Sequence, residues 1–213
     1  MTNSDRGHRP LSENHISKGF IMRALEEKIV KEGKIYEGDI LKVDCFLNHR
    51  IDVEFLAEMG KEFARLYKDC DVNKILTIEA SGIGVACVAA LQFEPVVPVV
   101  FAKKSKSSNI GDNFYHSTVQ SYTHGKTYDV IVSKDYLGEN DKVLILDDFL
   151  AKGSALEALL DICAQSGATV VGAGSVIEKA YQGGGDLIRA KGVRVESLAK
   201  IKSMDTENGI IFE

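Results

Sequence analysis

The stretch VLILDDFLAKGSA, residues Val143–Ala155, contains the pattern that decides the fold. It opens with four branched apolar residues, which predict a strand buried on both faces of a parallel sheet. Two adjacent carboxylates follow, Asp147 and Asp148, and then a short turn that contains Gly153. From Ser154 onward the apolar residues recur at helical spacing. The stretch therefore predicts a strand, an acidic corner, a glycine loop and the start of a helix.

This corner has the chemical groups that a phosphorylated sugar needs. Backbone N–H groups at the start of a helix bind phosphate. A pair of carboxylates beside them can accept hydrogen bonds from two neighbouring sugar hydroxyls or hold Mg²⁺. Ribose 5-phosphate has both kinds of group and fits the corner. The structural alternative is an acidic turn that precedes an amphipathic helix and binds nothing.

Length and composition indicate an ordinary globular domain. The chain has 213 residues, of which 45% are hydrophobic, and its mean hydropathy is −0.05. That length is enough for one domain with a substantial core. No window approaches the ~18 apolar residues of a membrane span, so we expect no membrane partner. The net charge of −5 argues against a nucleic-acid partner bound through positive charge.

The cysteines and histidines show no disulfide or metal-binding pattern. The four cysteines include no CxxC pair, and the five histidines lack ligand spacing. This favours reduced thiols in a cytoplasmic protein over a disulfide framework, and it predicts no metal site built from protein ligands. The cysteines are Cys45, Cys70, Cys87 and Cys163.

The first residues of the chain differ from the rest. Residues 1–21 are polar, contain Gly, Pro, Ser and Asn, and lack the apolar core of a secretory signal. A helical pattern begins at Met22. We therefore expect residues 1–21 to be a disordered extension or an added leader, and residues 22–213 to form a single domain.

Strands alternate with helices through the middle of the chain, which predicts an α/β fold with a mainly parallel sheet flanked by helices. The ends, Ile35–Leu47 and Val193–Phe212, do not fit this alternation. We expect them to form a small hood lobe over the carboxyl edge of the sheet, where open α/β sheets bind ligands. The predicted strands are Lys74–Ile78, Val96–Ala102, Lys142–Leu146, Val170–Ile177 and Val193–Ala199, with a hairpin from Thr118–Tyr122 and Tyr128–Ser133. The predicted helices are Met22–Glu32, one capped by Asp52, Val85–Leu91 and Ser154–Gln165.

A second strand–loop–helix unit occupies Ile75–Gly84. Ser81 and Gly82 present backbone N–H groups just before a helix, which suits an anion such as pyrophosphate. By itself this pattern fits a structural turn equally well. It gains weight from the first motif, because a sugar with phosphates at both ends needs two anion sites on one edge. Three lysines, two of them Lys103 and Lys104, then precede a polar segment, and they are either an anion site or a solvated face.

The first motif resembles the signature of the type I phosphoribosyltransferases: four hydrophobic residues, two acids, two hydrophobic residues, a small or acidic residue, and a glycine flanked by hydroxyl residues. The resemblance implies 5-phosphoribosyl-1-pyrophosphate (PRPP) as donor, with Asp147 and Asp148 on the reacting ribose. It implies that Mg²⁺ arrives with PRPP and that the enzyme is a homodimer. It implies a lid over pyrophosphate in Ser105–Asn113. Further implied contacts are those of the phosphoribosyl group with Ala151, Lys152, Gly153, Ser154 and Ala155, and those of pyrophosphate with Lys103, Lys104 and the loop Ala80, Ser81 and Gly82, where a cis peptide often occurs.

The flanking segments are similar to the bacterial xanthine phosphoribosyltransferases, nearly from Met22 to the end. The similar segments are Leu41–His49, Glu79–Gly82, Asp147–Ala151, Val176–Lys179 and Val195–Ala199. The resemblance implies transfer of the phosphoribosyl group to xanthine in purine salvage, which gives xanthosine 5′-monophosphate (XMP). It implies xanthine contacts from Leu41, Asn48 and Lys179, and we expect Phe149 to pack on the purine face.

These side chains suit an oxopurine. A lysine aimed at the C6 oxygen favours xanthine over adenine, whose exocyclic group is a donor. The amide of Asn48 can both donate and accept. Each residue also has a structural alternative: Leu41 in the core, Asn48 at a strand end, and Lys179 at a strand exit.

Two readings of the same fold compete with xanthine transfer. Ala151 stands where hypoxanthine-guanine relatives have an aspartate that takes the N7 proton, so the general base is unassigned. Adenine-type phosphoribosyltransferases also have alanine there and are a close alternative. A PRPP-sensing regulator would have an additional DNA-binding domain, which the short segment before the fold and the acidic charge disfavour.

Overall fold

A computed structural model describes residues 20–105, 113–121 and 126–213 of the protein. The elements before the second motif are α1 (Phe20–Glu32), β1 (Lys34–Tyr36), β2 (Ile40–Lys42), a π-helical turn (Asp44–Asn48), α2 (Val53–Leu66) and β3 (Lys74–Ile78). The elements that follow are α3 (Gly82–Ala90), β4 (Val99–Ser105), β5 (Phe114–Ser121), β6 (Lys126–Ser133), β7 (Lys142–Leu150), α4 (Ser154–Ser166), β8 (Thr169–Lys179), a 3₁₀ turn (Ala180–Gln182), α5 (Gly184–Ala190), β9 (Val195–Asp205) and β10 (Gly209–Phe212).

Eight strands form one sheet in the order β10-β9-β8-β7-β3-β4-β6-β5. The five strands from β9 to β4 are parallel, whereas β10, β6 and β5 run antiparallel to their neighbours. The predicted α/β fold with a mainly parallel sheet is therefore confirmed. From β3 the chain moves to β4 on one side, and from β7 it moves to β8 and β9 on the other. The carboxyl ends of β3 and β7 thus flank a topological switch point, where open α/β sheets bind ligands.

The central strand β7 is apolar because both of its faces are covered. Leu144 and Leu146 pack in a cluster with residues of α2 and α3. Val143 and Ile145 pack in a second cluster with residues of α4. Successive side chains of a strand point to opposite faces, so four consecutive apolar residues serve two helical layers.

Local sequence signals explain where the helices begin and end. Asp52 caps α2, because its Oδ1 accepts the backbone N–H of Phe55 at 3.2 Å. The helix α4 begins after Gly153 and ends at Gly167, two glycines with φ of +87° and +74°. A positive φ suits glycine, and the predicted end of α4 at Gly167 is confirmed.

The prediction of a single extended segment at Ile35–Leu47 is wrong, because the hood has a hairpin and a helical turn in this range. β1 and β2 form a separate two-stranded antiparallel hairpin, joined by a turn in which Gly38 and Asp39 have positive φ. The π-helical turn follows, with Phe46 and Leu47 both only 1% exposed. Neighbouring residues of a strand could not both face one core, whereas neighbours in a helical turn can.

The carboxyl-terminal segment divides between the sheet and the hood. Residues Val195–Ile201 of β9 pair with β8 inside the main sheet. The distal part of β9 pairs with β10, and both strands contact α1. The hood therefore combines α1, the hairpin, the π-helical turn and this distal ribbon.

Several boundaries differ from the prediction. The first helix begins at Phe20, two residues before Met22, and Ile21 is buried. The predicted extension lies mainly in residues 1–19, outside the described residues. The predicted strand end at Leu146 is wrong, because β7 continues to Leu150 beside the equally extended β8.

The strand β4 also begins later and reaches further than the predicted strand Val96–Ala102. The strand β4 starts at Val99, one residue after Pro98, and its last residues pair with β6. The predicted hairpin is confirmed in the described residues, where Thr118 pairs with Asp129. Of the segment predicted to form a lid, residues 106–112 are not among the described residues. No helix in the described ranges is long and apolar enough to cross a membrane.

Candidate active site

A cavity of about 530 Å³ opens at the carboxyl end of the central strands. Its walls come from the hood, the β5–β6 ribbon, the ends of β7 and β8, and the start of α4. The lining residues are Gly38, Asp39, Ile40, Leu41, Asn48, Val119, Gln120, Tyr128, Ile145, Asp147, Phe149, Leu150, Ala151, Lys152, Gly153, Ser154, Ala155, Leu156, Leu159, Gly174, Ser175, Lys179 and Gln182.

The two predicted catalytic carboxylates have different surroundings. Asp147 lines the cavity, and its Oδ1 accepts the backbone N–H of Asp148 at 2.9 Å. Asp148 faces the hood, where its Oδ2 accepts a hydrogen bond from Asn48 Nδ2 at 3.1 Å. Burial and the neighbouring charge of Asp148 raise the pKa of Asp147 well above its usual range. A cationic ligand beside Asp147 would favour its ionised form, so the carboxylate suits a site that develops positive charge.

The predicted phosphate loop lies along one wall of the cavity. All five of its residues line the cavity, from Ala151 to Ala155. Within these five residues, Gly153 has a φ of +87° and is the last residue before α4, which begins at Ser154. The first N–H groups of a helix have no intrahelical partner, and they bind anions well. The loop and the helix start can therefore hold a phosphate group beside Asp147.

The predicted pyrophosphate loop approaches the same carboxylate from β3. The Glu79–Ala80 peptide is cis, the feature that the family resemblance implied at this loop. Ser81 precedes α3, which begins at Gly82. A Cβ on Gly82 would lie 2.1 Å from Thr77 Oγ1 and 2.9 Å from Asp147 Oδ1. Only glycine allows the loop to come this close to Asp147.

The two predicted lysines lie inside β4 rather than after it, and they point to opposite faces. Lys104 Nζ lies 5.2 Å from the ring centroid of Tyr128, and its charge opposes the rise in the pKa of Asp147. Lys103 Nζ lies 5.9 Å from the ring centroid of Phe101, two residues earlier on the strand. Because side chains alternate along a strand, only Lys104 lies on the side of Asp147.

The four residues expected to contact the base all line the same cavity. Lys179 Nζ lies 5.9 Å from the ring centroid of Phe149 and donates to the backbone oxygen of Asp39. Burial lowers the pKa of Lys179. Leu41 is 7% exposed and packs in the core, which confirms its structural interpretation, and it also lines the cavity, so the contact with the base stays a prediction. Asn48 completes the set.

Several lining residues were missed by the sequence analysis. Asp39 belongs to the hood turn, and the dipeptide Gly38-Asp39 between two short apolar runs is a hairpin signal that could have located it. Tyr128 lines the cavity with Asp147, and burial together with the charge of Asp147 raises the pKa of the phenol. Ser175 pairs with Asp147 across the sheet. No local signal separates Tyr128 or Ser175 from other strand residues.

Comparison with known proteins agrees with this geometry. A family model described as the phosphoribosyl transferase domain matches residues 54–204. The xanthine phosphoribosyltransferase of Lachnoclostridium phytofermentans is 53% identical over 190 residues, which cover 89% of this chain and 97% of the relative. The xanthine phosphoribosyltransferase of Bifidobacterium adolescentis is 54% identical over 190 residues, which cover 89% of this chain and 98% of that relative.

The fold is also found among solved structures. The adenine phosphoribosyltransferase from Trypanosoma brucei, solved with AMP, pyrophosphate and ribose-5-phosphate, superposes with a TM-score of 0.67 at 20% identity. The superposition covers 83% of this chain and 79% of that chain, and it supports the fold alone. Since the family model matches most of the chain and the two relatives share more than half of their aligned residues with it, this protein belongs to the phosphoribosyltransferase family.

Proposed function

We propose that the protein transfers the 5-phosphoribosyl group of PRPP to xanthine in purine salvage, with XMP and pyrophosphate as products. The observation that carries this proposal is one cavity that joins the phosphate loop and Asp147 to Leu41, Asn48 and Lys179. The cavity thus offers a donor end and a base end. The relatives named xanthine phosphoribosyltransferases, at 53% and 54% identity, support the choice of base.

The donor end suits the charge changes of the reaction. The bond between ribose C1 and the pyrophosphate oxygen breaks, a bond from C1 to purine N9 forms, and the imidazole ring of the purine loses one proton. Positive charge develops on the ribose as pyrophosphate departs. Asp147 can accept a hydrogen bond from a ribose hydroxyl, and the two carboxylates Asp147 and Asp148 can together stabilise this charge, while the start of α4 holds the 5′-phosphate. Lys104 can neutralise charge on the departing pyrophosphate.

The base end suits an oxopurine. Lys179 is a donor only, so it pairs with a carbonyl oxygen and leaves the amino group of adenine unmatched. An amide has two N–H donors and one acceptor oxygen. Asn48 can therefore keep its hydrogen bond to Asp148 and still accept a ring N–H of the base. Phe149, beneath the Lys179 ammonium group, offers an aromatic surface for the purine.

We propose that Mg²⁺ enters this site as part of the PRPP complex. Proteins that bind Mg²⁺ with phosphorylated substrates commonly use one or two carboxylates, with the phosphates supplying further ligands. Asp147 and Asp148 are such a pair at the donor end. The raised pKa of Asp147 fits this role, because a nearby cation would offset its burial and the charge of Asp148.

We propose that the enzyme is a homodimer that uses the outer face of α3. This helix, GIGVACVAA, has no charged residue, and helices that are apolar all round are normally buried. Its outer face nevertheless leaves Cys87 exposed, and the helix is followed by Leu91 at 65% exposure. Ile51 continues this surface, since its Cδ1 lies 3.3 Å from a Cβ built on Gly84. A second copy of the chain would cover these residues.

We propose a cytoplasmic location for the enzyme. All four cysteines are free thiols, and three of them are at least partly buried. Free thiols of this kind are typical of reducing compartments.

The test of the proposed activity is a screen of adenine, hypoxanthine, guanine and xanthine with PRPP and Mg²⁺, followed spectrophotometrically. We expect xanthine to give the highest kcat/KM and XMP to be the product. Preferential turnover of adenine would overturn the base assignment, and turnover of no base would favour a PRPP-sensing regulator. A DNA-binding assay at several salt concentrations would then test that alternative.

A further inference from the structure

The first turn of α5 packs directly against the phosphate loop. The backbone N–H of Gly184 donates to the carbonyl oxygen of Ala151 at 3.1 Å. A Cβ on Gly184 would lie 2.2 Å from that oxygen and 2.5 Å from the backbone nitrogen of Gly153. The φ of Gly184 is outside the positive range, so glycine is required here for space and not for conformation. Any side chain at this position would displace the loop.

A buried ion pair holds α5 in this place. Arg189 of α5 donates two hydrogen bonds to Glu178 of β8, at 2.8 Å and 2.7 Å. Glu178 is 1% exposed, and Ser197 Oγ donates to it at 2.5 Å. Although burial acts in the opposite direction, Arg189 and Ser197 lower the pKa of Glu178, which therefore stays ionised. A Cβ on Gly185 would lie 1.8 Å from Glu178 Oε1, so the pair sits directly under α5.

The same strand end connects the ion pair to the base end of the cavity. Glu178 and Lys179 are consecutive residues of β8. Glu178 fixes α5 against the phosphate loop, whereas Lys179 lines the cavity beside Phe149. The end of β8 therefore contributes to both substrate sites through neighbouring residues.

We propose that Gly184 and Arg189 are positioning residues for the ribose 5-phosphate group of the donor. Neither residue lines the cavity, and both act through the phosphate loop. Gly184 supports the loop at Ala151, and Arg189 keeps Gly184 there through Glu178. The proposal rests on the proposed function, because it takes the phosphate loop as the site of the donor. It predicts that donor affinity depends on an ion pair outside the cavity.

The direct test compares Gly184→Ala with Gly138→Ala. A Cβ on Gly138 would meet no atom within 4 Å, and its φ is also outside the positive range, so this variant is a matched control. Calorimetry with ribose 5-phosphate and steady-state kinetics with each substrate varied would be measured. We expect Gly184→Ala to weaken ribose 5-phosphate binding and raise the KM for PRPP by about ten- to a hundredfold, with the KM for xanthine nearly unchanged. Gly138→Ala should match the wild type. A folded Gly184→Ala variant with wild-type binding would overturn the proposal.

Two further measurements decide the matter if Gly184→Ala does not fold. Arg189→Lys keeps the charge but loses one of the two hydrogen bonds to Glu178. Its KM for PRPP should therefore rise above that of the wild type, while its KM for xanthine stays unchanged. In the wild-type protein, ribose 5-phosphate should slow amide hydrogen exchange in the peptide that contains Gly184 and Arg189. Equal rises in both KM values, or unchanged exchange, would overturn the positioning role. Absence of ribose 5-phosphate and PRPP binding by the wild type would instead overturn the proposed function.

Discussion

Single residues at the donor end are arranged for ligand binding at the expense of stability. Asp147 and Asp148 are adjacent acids, yet of the two only Asp147 lines the cavity, where burial and the charge of Asp148 raise its pKa. Asp148 is held by Asn48 of the hood. Ionised Asp147 is unfavourable in the folded protein, whereas the same charge is useful to a cationic transition state. Function and stability therefore make opposite demands on this one carboxyl group.

We expect Asp147→Asn to stabilise the protein and inactivate it. A carboxyl with a raised folded-state pKa stabilises the fold only while protonated, and that contribution is lost as the pH rises through the folded-state value. The neutral amide removes the penalty and can still accept the Asp148 N–H. At pH 7.5 the Tm should rise by about 2–4 °C, the change that ~1 kcal/mol produces in a domain of this size. The gain should disappear below about pH 4, where Asp147 is protonated in the folded and unfolded states.

The measurements for Asp147→Asn are differential scanning calorimetry from about pH 3 to about pH 8, which extends below the Asp reference value, and steady-state kinetics. Turnover should fall by about 10²–10³, because a charge that stabilises the transition state is lost. Asp69→Asn is the control, because Asp69 is exposed. The Asp69→Asn variant should change neither the Tm nor the turnover. A lower Tm for Asp147→Asn at pH 7.5 would contradict the prediction.

We expect Lys179→Ala to affect the base far more than the donor. Loss of a charged hydrogen bond to a ligand costs roughly 1.5–3 kcal/mol, so the KM for xanthine should rise by about ten- to more than a hundredfold. The KM for PRPP should stay close to that of the wild type, since the phosphate loop is untouched. Steady-state kinetics with each substrate varied in turn are the measurement, and the exposed Lys202→Ala is the control. An equal rise in both KM values would show that Lys179 is a phosphate-binding or structural residue.

Among the elements, α2 begins at a capping residue, Asp52, that also contacts α1 of the hood. Asp52 accepts the Phe55 N–H at the start of α2 and forms an ion pair with Lys28 of α1 at 3.1 Å. The hydrogen bond from Lys28 and that from Phe55 lower the pKa of Asp52. A single carboxylate thus caps one helix and fixes the position of another.

We expect Asp52→Ala to reduce the free energy of unfolding by about 0.5–2 kcal/mol at pH 7. Because the folded-state pKa of Asp52 is lowered, its contribution is present above the unfolded-state value and is lost as the pH falls through the folded-state value. Urea denaturation at pH 7 and pH 3 would measure this, and the difference from the wild type should shrink at pH 3. Asp52→Asn keeps a capping oxygen and should lose less. A difference that grows at low pH would rule out this explanation.

At the scale of the whole molecule, the outer face of α3 is apolar and is not covered by other parts of the same chain that the structure describes. Leu91 and Val30 have nearly equal exposure, 65% and 64%, but Val30 belongs to the amphipathic α1. We expect Leu91→Glu to convert a dimer into a monomer, because a buried charge without a partner opposes association. Val30→Glu should remain dimeric.

Size-exclusion chromatography with light scattering at micromolar concentrations measures the association state of both variants. A monomeric wild type would contradict the dimer, and a dimeric Leu91→Glu would place the interface elsewhere. Activity measured on the same fractions would show whether each chain works alone.

Much of the fold could be predicted because the signals are local. The strand β3 has the predicted bounds, and the start of α4 at Ser154 and its end at Gly167 follow from turn and capping chemistry within a few residues. The acidic corner and the phosphate loop are consecutive in the chain, so any fold that places a strand before this helix brings them together. These features depend on periodicity, glycine conformation and helix ends, which neighbouring residues determine.

Only the tertiary structure decided that neighbouring site residues of the same type have different surroundings. Asn48 and Asp148 meet across 100 positions of sequence, and Lys103 and Lys104 diverge because β4 continues past its predicted end. The sequence by itself determined the alternation of strands and helices and the chemistry of the acidic corner. The order of the strands in the sheet decided that distant side chains, among them Lys179 and Tyr128, line the same cavity as that corner. The physical reason is that contacts between distant segments depend on how whole elements pack, whereas a local pattern specifies only the elements themselves.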